Sequence, residues 1–300
     1  MTKAVTISGY GPPSVLRVDE VEVGPPGPRQ IRVAVTHAGV GPTDLAIRAG
    51  YLDAVYPVRP GGVLGFEAAG TVDAVGAEVR DVAVGDDVAV HLPGPLGGYA
   101  EAVLADFWVR RPASVSAAAA AALPASGEAA VRALALLEVQ AGETFLLLGG
   151  NGSVGALAAQ LALARGATVI TTVRPADFDA VAARGAQPVD YHRPLREVVT
   201  SPVDAVLDAS GRSDLRAAVE LAGGPTRVLT LSDPRASELG VALSSPDRAT
   251  LTARLQEAMD RVADGSLALS EPTVLPFDQA ADVHTRLEDG SLRGKVVLVP

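Results

Sequence analysis

Three glycines, Gly150, Gly152 and Gly155, stand in the spacing G-x-G-x-x-G. They directly follow an apolar run, Phe145 to Leu148, and directly precede a small-residue helical pattern that closes at Gly166. Strand, tight turn and helix in that order can hold a pyrophosphate. The first glycine permits the turn, the second lets backbone approach the phosphates, and the third lets the helix pack close to the strand. The free N–H groups at the head of the helix, with the positive end of its dipole behind them, then face the anion. The segment Gly150, Asn151, Gly152, Ser153, Val154 and Gly155 is therefore the candidate cofactor-binding turn. A glycine-rich strand–helix turn without a ligand is the plainer alternative.

A second candidate lies at the end of the next strand, Thr168 to Val173. Enzymes that prefer NAD usually place a carboxylate there for the ribose diol. Here the strand ends in Arg174, whose guanidinium suits a 2′-phosphate through a charge-assisted pair. NADPH is the cofactor expected on this ground, although Asp177 would repel the phosphate if it faced inward. A solvated loop arginine is the alternative.

The elements that must position these residues change character along the chain. Residues 1 to about 115 read as β-rich, with short runs (3–7, 30–37, 68–75, 87–91 and 99–104) between Gly/Pro turns, and this spacing suggests a twisted, barrel-like antiparallel core. Alanine-rich helices follow at 116–123 and 128–137. From Thr144 strands (144–149, 168–173, 187–189, 203–208, 226–231) alternate with helices (153–165, 176–184, 193–199, 213–222), the pattern of a parallel sheet covered on both faces. A long amphipathic helix is expected at 247–263, an edge strand at 241–243, a further helix near 277–287 and a last strand at 295–299. The chain is thus an α/β protein with a β-barrel-type domain (1–115 and 268–300) and an inserted doubly wound parallel-sheet domain (116–267).

Composition narrows the partners. Net charge is −10 with no basic cluster, which disfavours nucleic acid and anionic membrane. No apolar run is long enough to span a bilayer, and the first residues lack a secretory pattern. Cysteine is absent, so disulfides and thiolate metal sites are excluded and a cytoplasmic setting is expected. A small-molecule substrate is the partner that remains.

Several motifs together carry a resemblance. They are His37-Ala38-Gly39-Val40-Gly41-Pro42-Thr43-Asp44, Leu64-Gly65-Phe66-Glu67-Ala68-Ala69-Gly70, Val84-Gly85-Asp86-Asp87-Val88, Gly97-Gly98-Tyr99-Ala100-Glu101 and the end Gly294-Lys295-Val296-Val297-Leu298. In this order, with the glycine turn, nearly the whole chain resembles the medium-chain dehydrogenase/reductase superfamily, in particular its zinc-free quinone oxidoreductase and enoyl reductase branch. The resemblance implies a GroES-like domain joined to a Rossmann domain, with the substrate cleft between them, and a homodimer paired through the edge strand of the Rossmann sheet, for which the apolar segment 240–243 is the candidate. It implies that Tyr191 lies near the 2′-phosphate, and that Asp44 and Tyr51 sit on loops of the substrate cleft. Tyr51 then donates a hydrogen bond or a proton to a substrate carbonyl, or is a packing tyrosine. Asp44 takes part there, or fixes its loop by accepting backbone N–H bonds.

Departures from the family pattern matter as much. Zinc-dependent relatives carry a cysteine and a histidine where this chain has Gly41 and Phe66, neither of which offers a donor to zinc. No metal is therefore expected, and hydride delivery to an already activated quinone, enone or enoyl thioester remains. The family asparagine is also replaced by Gly41, and a family threonine by Glu128. Glu128 either points away as a helix-start residue or modifies the site. The segment Leu231 to Arg235 lacks the usual glycine-rich turn. The implied activity is an NADPH-dependent, zinc-independent reductase of quinones or α,β-unsaturated carbonyls. The rivals are an NADP(H)-binding relative without redox turnover and a stand-alone enoyl reductase. With two lysines in the chain and no tyrosine four residues before a lysine, a short-chain dehydrogenase mechanism is disfavoured.

Overall fold

From Ile31 the side chains alternate: Ile31, Val33 and Val35 are buried while Ala34 and Thr36 are exposed, the period of a strand covered on one face. From Phe145 to Leu148 the run is apolar throughout and buried throughout, as in a strand covered on both faces. These two patterns mark the two kinds of sheet in the molecule. The computed structural model describes residues 1–93 and 97–300.

The chain runs through β1 (Thr2–Ile7), β2 (Leu16–Val21), β3 (Ile31–Val40), α1 (Pro42–Ala49), β4 (Gly62–Val63), β5 (Glu67–Val75), β6 (Asp87–His91), β7 (Ala102–Ala105), β8 (Phe107–Arg110) and α2 (Ala117–Ala122). It continues through α3 (Pro124–Leu136), β9 (Thr144–Leu148), α4 (Ser153–Ala164), β10 (Thr168–Val173), α5 (Phe178–Ala182), β11 (Gln187–Asp190), α6 (Leu195–Val198), β12 (Ala205–Asp208), α7 (Leu215–Leu221), β13 (Val228–Thr230) and β14 (Ala242–Leu243). It closes with α8 (Leu251–Ala263), β15 (Thr273–Pro276), α9 (Ala280–Glu288) and β16 (Val296–Val299). Contacts group these elements into two units, Met1–Ala125 with Thr250–Pro300, and Ser126–Ala249. The grouping places α2 and α8 with the first unit.

In the first unit a sheet of order β15-β16-β3-β5-β6-β8, with β7 also paired to β3, is antiparallel except at β15–β16. A smaller sheet has the order β2-β1-β4. The core between them collects Val5, Ile31, Val33, Leu64, Val72, Val88 and Tyr99, and α9 adds Val283. This is the expected β-rich, GroES-like half, with β2, β4, β8 and β15 added to the strands expected from sequence.

In the second unit the described residues form a six-stranded sheet that is parallel throughout, in the order β11-β10-β9-β12-β13-β14. Numbered within the unit, that order is 3-2-1-4-5-6, the doubly wound Rossmann arrangement, and the strand order reverses between β9 and β12. The crevice at the C-terminal ends of these two strands is where such sheets bind ligands.

One buried ion pair ties three of the motif segments together. Lys295 contacts the Glu67 carboxylate and donates to the Val40 carbonyl at 3.0 Å, while the other Glu67 oxygen accepts the Ala125 N–H at 2.7 Å. A Cβ at Gly39 would lie 2.5 Å from Glu67 Oε1 and 2.6 Å from the Ala121 carbonyl, so the pair explains that glycine as well. Removing one member of such a pair strands a buried charge, which costs about 3–5 kcal/mol. Lys295→Met is therefore expected to lower unfolding stability by about 3 kcal/mol, with Glu67→Gln/Lys295→Met recovering part of the loss. Chemical denaturation checks this, and a loss under about 1 kcal/mol for the single variant would contradict it.

Candidate functional site

The glycine turn is built by contacts that leave no room for side chains. The residue in the left-handed region is Gly149, at φ +91°, so the turn itself is made one residue earlier than the motif suggests. Gly150 is required for a different reason: a Cβ there would fall 1.9 Å from Thr171 Oγ1 on β10. A Cβ at Gly155 would fall 2.2 Å from the Gly149 carbonyl oxygen, which confirms the close packing of α4 on the turn. β10 holds the turn in place, since the Gly149 N–H donates to Thr172 Oγ1 at 2.9 Å.

Gly152 is unlike the other two. A Cβ at this position would meet only the Gly149 oxygen, at an ordinary 3.4 Å, so nothing in the chain itself demands glycine. Gly152 is the N-cap of α4 and no side chain caps the helix. Asn151, Gly152 and Ser153 are exposed and Val154 is partly so. A helix head left uncapped and free of side-chain bulk, at the C-terminal end of the first strand of a doubly wound sheet, is a fitting cradle for a pyrophosphate.

Across the switch point, β12 ends in Asp208, which is fully buried. Its Oδ2 accepts Thr230 Oγ1 at 2.9 Å, and its Oδ1 accepts Ser210 Oγ at 2.8 Å and the Ser210 and Gly211 N–H groups at 3.1 Å. One carboxylate thus organises the ends of β12 and β13. The next segment, which lacks a glycine-rich turn, is closed by charge instead. Arg235 donates to buried Asp233 through Nε and Nη2 and to the Ser213 carbonyl at 2.9 Å. The guanidinium holds the Asp233 carboxyl below its usual range. Asp208 and Asp233 bond mostly to residues two or three positions on, and the sequence reading did not single them out; the Thr230 hydroxyl is the partner of Asp208 that comes from a neighbouring strand.

Parallel pairing of β10 and β11 sets Val173 opposite Asp190, and so brings Arg174 and Tyr191 side by side just beyond the two strands. Arg174 is bidentate to Asp177, with Nε to Oδ2 at 2.9 Å and Nη2 to Oδ1 at 3.1 Å. Asp177 therefore engages the guanidinium that a 2′-phosphate would need. Tyr191 is half exposed and lies against the His192 ring at 4.0 Å between centroids. His192 in turn donates through its backbone N–H to Asp190, whose carboxyl this holds below its usual range.

In the first unit, Asp44 and Tyr51 occupy different settings. Asp44 lies on α1 rather than on a loop; its Oδ2 accepts the Gly41 N–H at 2.8 Å and caps the helix. Gly41 keeps enough extended backbone to begin the helix there, which the sequence pattern did not show. Asp44 is buried, and that burial raises its carboxyl to about 7. Tyr51 follows the helix after the left-handed Gly50 and is 84% exposed. At a rise of about 1.5 Å per residue the two stand roughly 10 Å apart along the axis, so α1 separates them.

Two other positions singled out by sequence are settled by packing. Glu128 lies a full turn inside α3, not at its start, and is completely buried. Arg132, four residues on, donates to it at 3.0 Å and also contacts Ser244 beyond β14. The i, i+4 spacing of opposite charges was visible in the sequence; the third member was not. Gly41 and Phe66 bring no metal donor, and among the described residues no group of three or more His, Asp or Glu side chains could hold a metal ion.

Comparison with known proteins agrees with this construction. The alcohol dehydrogenase GroES-like domain family matches residues 27–110, and the family described as zinc-binding dehydrogenase matches residues 178–298. A quinone oxidoreductase of Pseudomonas aeruginosa is 30% identical, covering 100% of this chain and 100% of that protein. A chloroplastic NADPH-dependent alkenal/one oxidoreductase of Arabidopsis thaliana is also 30% identical, covering 99% of this chain and 79% of that protein. A mycobacterial protein solved in complex with NADPH superimposes with a TM-score of 0.86 at 26% identity, covering 100% of both chains.

Because a Cβ at Gly152 would meet the chain only at an ordinary 3.4 Å, Gly152→Ala is expected to unfold at nearly the wild-type temperature yet to bind a dinucleotide at least about tenfold more weakly. Gly155→Val should lose both properties, by clash with the turn. Thermal unfolding and a binding titration check this; unchanged binding by Gly152→Ala would contradict it.

Proposed function

The chain belongs to the medium-chain dehydrogenase/reductase superfamily and is an oxidoreductase, and on that premise we propose that it uses NADPH to reduce quinones or α,β-unsaturated carbonyl compounds without a metal ion. The observation that carries this reading is the open head of α4, where Gly152 leaves space that only a ligand has reason to fill.

The described residues divide the work. The backbone of Gly150 to Gly155 would hold the pyrophosphate, and Asp208 ties the loop after β12 to the end of β13 on the far side of the switch point. Arg174 and Tyr191 would meet the 2′-phosphate. When bound, the nicotinamide supplies a hydride. Positions 41 and 66 hold glycine and phenylalanine, so these residues offer a substrate carbonyl no Lewis acid. The acceptor must then be activated by its own conjugation, which favours enones and quinones. Tyr51, with its side chain in solvent, is free to donate a hydrogen bond or a proton to the reduced product. The NADPH dependence of the Arabidopsis relative, and the nucleotide in the mycobacterial complex, support the choice of cofactor.

We also propose that the protein pairs with a second copy through β14. This strand ends the parallel sheet, both its residues are exposed, and Leu243 is 59% accessible. Light scattering should give twice the chain mass, and Leu243→Lys should shift it toward the monomer; a wild-type monomer at micromolar concentration would remove this proposal.

Two arms test the main reading. Purified protein should oxidise NADPH in the presence of an enone or quinone from a broad panel. Binding without consumption across the panel would favour a nucleotide-binding protein without redox turnover. In equilibrium titrations Arg174→Ala should weaken NADPH about tenfold while leaving NADH unchanged, and Asp177→Asn should tighten NADPH by releasing the guanidinium. Equal effects on both nucleotides would overturn the assignment of Arg174.

A further inference from the structure

Beneath α1 lies a group of buried polar side chains that the proposed reduction does not use. Asp44 and Arg48 sit one turn apart on α1, and His284 projects from α9; all three are almost fully buried. The Tyr99 hydroxyl lies 3.4 Å from His284 Nε2 and also faces the Asp44 carboxyl. Asp44 Oδ1, Arg48 Nε and His284 Nδ1 are buried without a hydrogen-bond partner. A buried carboxylate facing a buried imidazolium would need close partners for both charges. Here Tyr99 stands between them, and Arg48, already paired with Glu288 and the Gly11 carbonyl, would repel a protonated His284.

We propose that Tyr99 and His284 are positioning residues for Asp44: the three side chains form one buried cluster in which Asp44 and Tyr99 keep their protons and His284 is neutral, so that it carries no net charge, and this cluster fixes the head of α1. The proton of Asp44 sits on Oδ1, the carboxyl oxygen that no other group engages; the Tyr99 hydroxyl donates to His284 Nε2. Meanwhile Asp44 Oδ2 stays free to accept the Gly41 N–H. The neutral arrangement leaves no isolated charge in the core, and the helix cap does not depend on an ionised carboxylate.

The surrounding charges agree with this assignment. Glu67 and Lys295 both face Asp44, one raising and the other lowering its carboxyl, and they are paired with each other. Burial is the dominant influence and raises Asp44 to about 7. Burial first, then Arg48, lower His284 to about 3. From β2, packed against α9, the charged Arg17 and Asp19 form an exposed pair and Glu20 is exposed; Asp278 before α9 is exposed too.

The cluster has a signature in the dependence of stability on pH. A raised carboxyl contributes stability that is lost as pH rises from about 4 toward 7; a lowered imidazole contributes stability that is lost as pH falls from 6.5 toward 3. Between about pH 4.5 and 6.5 folding moves one proton onto Asp44 and one off His284, so the two slopes cancel.

Urea unfolding of the full chain across that window tests this. Relative to wild type, His284→Gln should lose stability with rising pH by about tenfold in the unfolding constant per pH unit, and Asp44→Asn should gain by the same factor. The double variant should run parallel to wild type. Single variants that both run parallel to wild type would overturn the proposal. Should a variant fail to fold, NMR of the wild-type histidines decides: His284 should not titrate between pH 5 and 8, and a midpoint near 6.5 would overturn it. In Tyr99→Phe the His284 Nε2 resonance should move to that of a nitrogen without a hydrogen bond; an unchanged resonance would remove Tyr99 from the cluster. None of these readouts depends on turnover, so they remain decisive even if the redox reading fails.

Discussion

The second unit rests on a contact that excludes side chains. α4 meets the turn after β9 so closely that Gly155 has the Gly149 oxygen where a Cβ would be, and Gly150 has the Thr171 hydroxyl in the same place. That proximity brings the head of α4 directly over the C-terminal end of β9, at the point where the strand order reverses. The small residues that follow, Ala158, Ala159 and Ala162, are buried and continue the close approach along the helix. The features expected of a nucleotide cradle here follow from that lack of volume: a helix head without a side-chain cap, a helix dipole aimed outward, and room for a Cβ at Gly152 that the chain leaves unused. Larger residues at 150 or 155 would push the helix away and remove the cradle together with the packing.

Charge is buried in two different ways. Glu67 with Lys295 joins segments distant in sequence, and Glu128 with Arg132 locks a helix turn to the residue beyond β14; buried Asp233 is paired within its own loop to half-exposed Arg235. Asp208 is satisfied by four hydrogen bonds instead. Asp44 and His284 have no such ionic partners and are better accommodated without charge. Pairing is expensive in desolvation, and each pair holds only while both members are present. The positions where zinc-dependent relatives place donors, 41 and 66, have been given to a helix cap and to an aromatic contact between Phe66 and Tyr56. The family description that mentions zinc therefore fits the scaffold of this chain but not its donor set.

Much of this was legible in the residues. The uniformly apolar Phe145–Leu148, the glycine spacing and the alternation of strands and helices pointed to a parallel doubly wound sheet, because those patterns depend on local periodicity. The short edge strand near Leu243 was readable for the same reason. α1 was not: its alternation is weak over Pro42–Ala49, and its cap comes from Asp44 bonding back to Gly41, a contact made by geometry rather than by periodicity. The left-handed residue was displaced by one, to Gly149, since two adjacent glycines leave the turn's position open until β10 fixes it through Thr171 and Thr172. Glu128 looked like a helix start because α3 begins earlier, at a proline. Tyr99 and His284 are 185 residues apart, and no local pattern links them.

The central claim is that the open helix head at Gly152 receives a nicotinamide dinucleotide. Calorimetric titration of NADPH and of NADH into the wild-type protein tests it most directly. The account predicts saturable binding at one site per chain, tighter for NADPH. An absence of heat and of competition for both nucleotides would contradict it.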